Sequence, residues 1–368
     1  MILIFFQNCL SPHQIPYIKE ICHDTRVEKV YLITPRIDYE MRAAMGWDSV
    51  QLLEGTSIVF YLRPTDENLK KLLRKEDVVA LFTGIRADKD VFRWFKLSLS
   101  FHVKRGIITE APLVYSKPLL FHYARFLLQD YGFVKSIHYI FAIGTLTVKY
   151  YSFWSKKWKI FPFAYCTEYS EEEIQNPFVL PDYHHASFLF VGSVDKRKNV
   201  GIILKALHSL KGSFIFDIIG DGPERKRLKG YVTAKQIQRI AFLGKMAMQQ
   251  VYEIMPQYDV LILPSRYDGW GAVVNEALQR GLYVICSDKC GAKDLLQDAR
   301  CGCVFQSGNH KQLAAIIEHC CSHISEIRAN KGFRREWAER CISGKVIARY
   351  MVDCLSGEKV NEPWLRKL

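Results

Sequence analysis

Short apolar runs alternate along the first part of the chain with segments whose apolar residues recur at helical spacing. Runs of this kind are typical of buried parallel strands, and the segments between them are typical of connecting helices. The pattern predicts a β-α-β succession and therefore a parallel sheet covered on both faces. Predicted strands cover residues 2–6, 29–34, 57–62, 78–82, 106–109 and 140–143, and predicted helices cover 13–22, 67–74, 91–103 and 119–129.

The same succession starts again after an acidic, proline-containing loop at 171–182. A length of 368 residues also favours two domains over one core. We therefore predict an α/β protein with two Rossmann-like domains that face each other across a cleft at the carboxyl ends of their strands. The domains are predicted at 1–170 and 183–345, followed by a C-terminal segment, 346–368, that packs back toward the first domain. Predicted strands of the second domain cover 187–191, 214–219, 240–243, 260–263 and 283–287, and its predicted helices cover 200–209, 248–255 and 329–354.

Positive charge and aromatic residues are concentrated in one segment. Residues 91–160 hold eleven Lys and Arg against two acids, and 17 of the 48 aromatic residues, in a chain of net charge +13. Cations beside amphipathic rings suit an anionic membrane surface. A solvated basic face over an aromatic core explains the same composition, and the sequence leaves both interpretations open. Nucleic acid is not predicted as a partner, because no known binding module occurs.

The cysteines and the apolar runs bear on the compartment. Eleven cysteines show no metal-binding spacing, and no Asp-x-Asp ends a predicted strand, so we expect no metal site. Scattered cysteines favour a reducing environment. The apolar start at 2–6 lacks a basic flank and is interpreted as a strand, and no apolar run is long enough to span a membrane. The expected location is cytoplasmic, with peripheral association at the inner face of the membrane left open.

Two carboxylates stand out in the stretch that follows the predicted strand 260–263. Asp268 lies in a glycine-containing loop, and Glu276 lies eight residues later inside the predicted helix 271–279. The exposed N–H groups at the start of a helix bind anions. The combination therefore predicts a site for a ligand that carries both phosphate and hydroxyl groups.

The spacing of these carboxylates separates two interpretations. At helical rise eight residues span about 12 Å, whereas paired glycosidase carboxylates lie roughly 5–9.5 Å apart. We therefore predict two separate contacts to an elongated ligand and no hydrolytic acid–base pair. A structural alternative makes Asp268 the N-cap of the helix, but it does not explain a Glu276 surrounded by apolar residues.

Further loops at predicted strand ends carry candidate groups. Lys198 ends a loop that begins at Gly192 and can place a point charge on a diphosphate. The turn 220–223 lacks the third glycine of a dinucleotide fingerprint and is predicted to be structural. In the first domain, His13 and Glu110 follow strands whose ends are expected to face the cleft.

Taken together, these motifs resemble those of retaining GT-B glycosyltransferases of the "glycosyl transferases group 1" type. The resemblance is strong over 188–294 and vague over the first domain. Two positions depart from the family pattern: Asp268 stands where the family has Glu, and Ser193 stands where it has Arg. The residues that carry the resemblance are Gly192, Lys198, Gly220, Gly222, Pro223, Phe242, Gly244, Pro264, Ser265, Asp268, Gly269, Trp270, Gly271, Glu276 and Ala277.

The resemblance implies roles for these residues. Lys198 would neutralise the donor diphosphate, Glu276 would hold the ribose hydroxyls, and Asp268 would contact a sugar hydroxyl. His13 is the candidate catalytic residue of the first domain, which the resemblance makes the acceptor domain, while the second binds the nucleotide sugar. Residues expected to border the donor are Gly192, Ser193, Gly244, Lys245, Gly269, Trp270, Gly271, Ala272 and Val273.

The implied function is transfer of a hexose from a nucleoside-diphosphate sugar to a hydroxyl of a glycan or lipid-linked glycan, with retention of configuration. The donor is a UDP-, GDP- or other NDP-sugar, and no separate cofactor is expected. Two alternatives stay open. One is a GT-B-like sugar-nucleotide epimerase, and the other is a non-enzymatic basic protein that binds membranes.

Overall fold

A computed structural model of the chain describes residues 1–37, 51–86, 88–111, 119–154, 158–167, 185–210 and 214–365. The chain divides into two compact units. The first comprises 1–168 with 342–363, and the second comprises 169–341 with 364–368. The acidic loop predicted at 171–182 lies outside the described residues.

The first unit is built on a seven-stranded sheet in which all paired strands run parallel, as predicted. The order is β3-β2-β1-β4-β5-β6-β7, so the direction of strand addition reverses between β1 and β4. Its strands are β1 (Ile2–Phe6), β2 (Lys29–Thr34), β3 (Val59–Leu62), β4 (Val78–Thr83), β5 (Lys104–Glu110), β6 (Tyr139–Ile143) and β7 (Lys159–Phe163).

Helices connect these strands, and one late helix joins the same unit. The predicted helix 91–103 is shifted toward the N-terminus, because the Asp88 carboxylate caps it by accepting the Asp90 and Val91 N–H groups. The helices are α1 (Ile15–Ile21), α2 (Asp66–Leu73), α3 (Lys89–Ser98), α4 (Leu119–Gln129), α5 (Thr145–Ser152) and, numbered by its place in the chain, α13 (Gly344–Ser356).

Eight of the 17 rings of the basic, aromatic segment 91–160 are buried in the first unit. Trp94 and Phe95 on α3 are buried, as are Tyr150 and Tyr151 on α5 and Trp158 before β7. Rings of this size contribute strongly to a core. The composition of 91–160 that suggested a membrane surface therefore comes partly from rings that lie inside the unit. Lys156 and Lys157 lie outside the described residues.

The second unit contains a six-stranded sheet, again with every paired strand parallel. Its order, β10-β9-β8-β11-β12-β13, is the 3-2-1-4-5-6 order of a Rossmann fold. Sequence reasoning missed β13, a short strand that begins with glycine. The strands are β8 (Ala186–Val191), β9 (Phe214–Ile219), β10 (Ile240–Gly244), β11 (Val260–Leu263), β12 (Tyr283–Ser287) and β13 (Gly302–Phe305).

The predicted long helix at 329–354 is wrong. Ser343 interrupts it, and its hydroxyl accepts the Val346 N–H and caps α13. Sequence reasoning also missed the helix that begins at His310. The helices before that break are α6 (Gly201–His208), α7 (Arg225–Ala234), α8 (Met248–Ile254), α9 (Val273–Gln279), α10 (His310–Ser322), α11 (Ile324–Ala329) and α12 (Lys331–Ile342).

A buried polar cluster fixes β8 beside β11 at their amino ends. The Asp259 carboxylate accepts hydrogen bonds from the Ser187 N–H and hydroxyl and from the Arg328 guanidinium, at 2.9–3.0 Å. A buried carboxylate needs such partners. Asp259 is therefore structural and leaves the carboxyl ends of both strands for a ligand. Among the described residues, no helix is long and apolar enough to cross a membrane.

Candidate functional site

Topology brings the loops after β8 and β11 together. These two strands are neighbours at the point where the strand order of the second sheet reverses. Loops that leave such a point diverge and leave a crevice between them, which is where open α/β sheets bind ligands. Lys198 lies in the loop after β8 and Asp268 in the loop after β11.

Lys198 and Asp268 form a close ion pair. The Lys198 ammonium lies 2.6 Å from the Asp268 carboxylate, and each side chain is only 12% exposed. The Ser265 hydroxyl donates to the same carboxylate oxygen at 3.3 Å, and the Arg197 guanidinium approaches it to 3.5 Å. Asp268 is therefore not the N-cap of α9, a position that Ala272 occupies. Its role in the structure is to hold two cations at the crevice.

The loop after β8 is shaped to present Lys198. Asp195 accepts hydrogen bonds from the Lys198 backbone N–H at 2.7 Å and from the Ser193 hydroxyl at 2.8 Å. Gly192 has a φ of 149°, and a Cβ added there would lie 3.8 Å from the Lys198 ammonium. The loop thus holds the Lys198 ammonium beside the backbone of Gly192, where no side chain intervenes. Ser193 faces Asp195, so Arg197 is the second cation of this loop that approaches Asp268.

The turn 220–223 supports this loop from behind, as predicted for a structural turn. A Cβ on Gly220 would lie 1.9 Å from the Gly192 carbonyl oxygen, and one on Gly222 would lie 2.5 Å from the Val194 carbonyl oxygen. The Val194 N–H also donates to the Asp221 carbonyl at 2.9 Å. The glycines therefore allow two loop backbones to touch.

Gly220→Ala should lower the free energy of unfolding by about 2–3 kcal/mol and weaken ligand binding by the loop after β8, because the methyl group has no space. Gly230 on α7 is the matched control, since nothing lies within 4 Å of its added Cβ. Gly230→Ala should stabilise the helix by about 0.5–1 kcal/mol. Urea denaturation of both variants measures the difference. Equal stabilities would contradict the packing described.

The loop after β11 approaches the site with its backbone. Gly271 has a φ of 94°, which an α-helix excludes, so α9 begins at Val273 and not at 271 as predicted. The Trp270 ring is buried, and its indole N–H donates to the Asn275 amide oxygen at 2.7 Å. Trp270 therefore anchors the loop. Because its side chain is taken up by this contact, Trp270 has only its backbone left for a ligand. The backbone contacts predicted for Gly269, Gly271, Ala272 and Val273 stay a prediction.

Glu276 is a buried carboxylate on a helix whose seven residues are all buried. Burial raises its pKa, while the charges of Arg280 and Lys198 and a hydrogen bond from the Tyr252 hydroxyl at 3.4 Å act in the opposite direction. A buried acid at a crevice with a perturbed pKa is a candidate for function. Sequence reasoning missed Tyr252, because no motif connects it to an acid 24 residues away.

The predicted separation of the two carboxylates rested on a wrong premise. Only 273–279 is helical, so helical rise does not set the distance between Asp268 and Glu276. Lys198 pairs with Asp268 and acts electrostatically on Glu276. One ammonium group thus pairs with Asp268 and favours the charged form of Glu276.

Gly244 and Lys245 lie at the end of the neighbouring strand β10. The Gly244 carbonyl accepts the Gly220 N–H at 2.7 Å, which connects it to the loop support described above. Gly244 is buried with a φ of 82°, and Lys245 is exposed. A Cβ on Gly244 would lie 3.6 Å from the Arg225 guanidinium. Arg225 is thus a further cation at this edge of the sheet.

The remaining candidates belong to the first unit. His13 is half-buried between β1 and α1, its carbonyl accepts the Cys166 N–H at 3.3 Å, and its ring centre lies 6.3 Å from that of Tyr165. Glu110 ends β5. His13 follows β1 and Glu110 is the last residue of β5, whereas Lys198, Asp268 and Glu276 lie in the second unit. Within the part of the chain that the structure describes, no three His, Cys, Asp or Glu side chains group into a metal site.

Known proteins resemble this chain in sequence and in fold. An uncharacterized glycosyltransferase of Methanocaldococcus jannaschii is 27% identical over 162 residues, which cover 42% of this chain and 45% of that protein. Stretches that match the first curated relatives cover less than half of each relative's length. HepE of Anabaena, crystallised with UDP, superposes with a TM-score of 0.71 at 14% identity, over 97% of this chain and 100% of that one.

A second solved structure gives the same result. WaaB, described as a lipopolysaccharide outer core galactosyltransferase, also has a TM-score of 0.71, at 15% identity over 97% of this chain and 99% of its own. Identities this low show the fold alone. The sequence profile described as "Glycosyl transferases group 1" matches residues 174–329, which include Lys198, Asp268 and Glu276. Residues 174–329 of the chain therefore match the glycosyl transferases group 1 profile, and the chain has the GT-B fold of two Rossmann-like units.

Proposed function

We propose that the chain is a glycosyltransferase that moves a hexose from a nucleoside-diphosphate sugar to a hydroxyl of a glycan or lipid-linked glycan. The observation that carries the proposal is the ion pair of the Lys198 ammonium with Asp268 at the switch point of the second sheet, together with the buried Glu276 carboxylate on the helix that follows. The family supports the reaction class. HepE structures contain UDP or UDP-glucose, and WaaB is named as a galactosyltransferase, which supports an NDP-sugar donor and a hexose.

Lys198 would act on the leaving group. When the bond between the anomeric carbon and the diphosphate oxygen breaks, negative charge grows on the diphosphate. An ammonium that is already oriented, and largely shielded from water, stabilises that charge without reorganisation. In the structure Asp268 holds the ammonium in place, and the second cation, Arg197, lies on the same loop. These two cations would make up for the arginine that the family has at position 193.

Asp268 and Glu276 would bind hydroxyl groups. A carboxylate accepts hydrogen bonds from two neighbouring hydroxyls, as on a ribose or a hexose. Glu276 is the better candidate for ribose, because its helix is buried and the Tyr252 hydroxyl fixes one of its oxygens. Asp268 would contact the sugar while its other partner, Lys198, contacts the phosphate. We infer retention of configuration from the family resemblance, with His13 on the acceptor side.

The setting of the reaction is part of the same proposal. The donor is a UDP-, GDP- or other NDP-sugar that serves as substrate, and no further cofactor is included. All eleven cysteines lie in the described residues and none forms a disulfide. Thiols of this number persist in a reducing compartment. We therefore place the enzyme in the cytoplasm, where nucleotide sugars would reach it.

A thermal-shift screen against UDP, GDP, ADP and TDP tests the donor site. One nucleotide should raise the melting temperature markedly, since a ligand at about 100 times its Kd adds about 2.7 kcal/mol of stability. The protein should then release that nucleotide from its labelled sugar only when an acceptor glycan is present. Stabilisation by no nucleotide, or epimerisation of the sugar without an acceptor, would contradict the proposal.

A further inference from the structure

A cavity of about 260 Å³ lies between α6, α7 and the start of α10 in the second unit. Two of its lining side chains, Ile202 on α6 and Leu228 on α7, are buried and apolar. The described residues that line it do not include Lys198, Asp268 or Glu276. The cavity is therefore distinct from the candidate donor site, although both belong to the same unit.

The volume of this cavity suits a small organic ligand. One water takes up about 30 Å³ in the liquid, so there is room for more than a single tetrahedral anion. Sites for drug-sized molecules begin at about 300 Å³, which is slightly larger. A molecule with one anionic group and a short carbon skeleton would therefore fill the cavity.

Positive charge surrounds the cavity. Lys205 on α6, Arg227 on α7 and Arg266 in the loop after β11 line it with exposed side chains, and His310 adds an imidazole. None of its described lining residues is an acid. A concave surface lined by charges of one sign concentrates the electric field and attracts counter-ions. The cavity is thus suited to an anion.

Contacts with neighbouring residues orient one of these cations. Glu224 accepts hydrogen bonds from the Arg227 guanidinium, including one from Nε at 2.9 Å. A Cβ on Gly201 would lie 3.8 Å from Arg227 Nη2, so the guanidinium reaches from α7 to the first residue of α6. Because Glu224 offsets part of the Arg227 charge, Lys205 and Arg266 are the main charges available to a ligand.

Lys205 and Arg266 differ from other exposed cations of the unit. Arg300 pairs with Asp298 at 2.6 Å, and Arg340 pairs with Glu336 at 2.8 Å. Within the part of the chain that the structure describes, neither Lys205 nor Arg266 forms an ion pair. A solvated basic surface can leave cations unpaired, but it does not require that they line one cavity with an apolar wall.

We propose that this cavity binds a small phosphorylated molecule. The Arg266 guanidinium would donate two parallel hydrogen bonds to phosphate oxygens, and the Lys205 ammonium would add a point charge. Ile202 and Leu228 would contact the carbon skeleton of the ligand. This binding site goes beyond the proposed sugar transfer and does not depend on it, since it uses none of the residues assigned to the donor.

Calorimetric titration with ribose 5-phosphate, inorganic phosphate and ribose tests the proposal. Ribose 5-phosphate should bind, and ribose should not. Lys205→Gln combined with Arg266→Gln should weaken binding of the ester by about a hundredfold or more, because both side chains donate charged hydrogen bonds. Lys226→Gln combined with Lys235→Gln is the matched control, since both lysines are exposed in the α7 region and do not line the cavity. The control should change the affinity by less than about threefold.

The relative affinities identify the source of the phosphate group. Tighter binding of ribose 5-phosphate than of inorganic phosphate identifies an ester as the ligand, and equal binding identifies the free anion. Either result supports a phosphate site in this cavity.

Three results would overturn the proposal. They are no binding of either phosphate compound, equal losses of affinity in the cavity variant and the control, and loss of ribose 5-phosphate binding in Lys198→Ala, which would place the ester in the donor site. Circular dichroism and the nucleotide-induced thermal shift of the cavity variant should match wild type. Failure of the donor site would in turn leave phosphate binding by the cavity intact.

Discussion

Lys198→Ala should abolish sugar transfer, with kcat/KM lower by about a hundred- to a thousandfold. The substitution removes the cation that lies 2.6 Å from Asp268 and would face the charge that develops on the diphosphate. Arg197, at 3.5 Å from Asp268 and more exposed, cannot take the same place. The measurement is initial-rate kinetics with the donor identified by thermal shift. Most of the loss should appear in kcat, because charge on the leaving group grows in the transition state.

Lys196→Ala is the matched control for this prediction. Lys196 lies on the same loop, carries the same charge and is exposed. Its removal should change kcat/KM by less than about threefold, as expected for a solvated charge. A Lys198→Ala variant that folds and transfers sugar at the wild-type rate would exclude Lys198 from the chemistry. Equal losses in the two variants would indicate a general electrostatic effect of the loop.

Glu276→Gln should weaken nucleotide binding and stabilise the protein at the same time. Loss of hydrogen bonds to a charged acceptor should reduce affinity by roughly ten- to a hundredfold. Burial raises the pKa of Glu276, which means that the folded state disfavours its charge. Removing that charge without changing the shape of the side chain should therefore add about 0.5–2 kcal/mol of stability at neutral pH. Calorimetric titration and urea denaturation measure the two effects.

The pH dependence of that stability difference follows from the sign of the shift. Because the pKa is higher in the folded state than in the unfolded chain, the folded protein binds the proton more tightly. Wild type therefore loses stability relative to Glu276→Gln as pH rises through the folded pKa. The two proteins should converge at pH values below the ordinary range of glutamate. Glu253→Gln, at an exposed acid on α8, should show neither effect.

A destabilised Glu276→Gln variant with unchanged nucleotide affinity would contradict this account, since it would make Glu276 a structural acid. The expected trade of stability for binding is characteristic of functional sites. A carboxylate retained in a buried helix at a cost in stability needs a compensating function.

The fold was largely predictable, because apolar periodicity reports burial directly. The strands β1, β2, β9, β11 and β12 have the predicted bounds. Predicted helix bounds were wrong where a capping side chain or a left-handed backbone conformation interrupts the helix. Ser343 caps a new helix inside a continuous amphipathic pattern, and the left-handed Gly271 delays the start of α9. Neither effect changes the spacing of apolar residues, which is the signal that periodicity detects.

The residues of the site could be predicted from the sequence, but their contacts with one another could not. Lys198, Asp268 and Glu276 follow from motifs at strand ends, but their ion pair and their shared electrostatics depend on strand order. Sequence alone does not show that β8 lies beside β11. Tyr252, which donates to Glu276, lies on a helix that carries no motif. Trp270 anchors its loop through a hydrogen bond to Asn275, which the motif does not indicate. Such contacts arise from tertiary packing, which a single sequence does not encode locally.

The central claim is that Lys198 recognises the diphosphate of a sugar-nucleotide donor. The most direct measurement is the ratio of affinities for the nucleoside diphosphate and monophosphate, determined by calorimetric titration for wild type, Lys198→Ala and Lys196→Ala. Wild type and Lys196→Ala should prefer the diphosphate by about ten- to a hundredfold, and Lys198→Ala should lose most of that preference. A Lys198→Ala protein that retains the full preference for the diphosphate would contradict the claim.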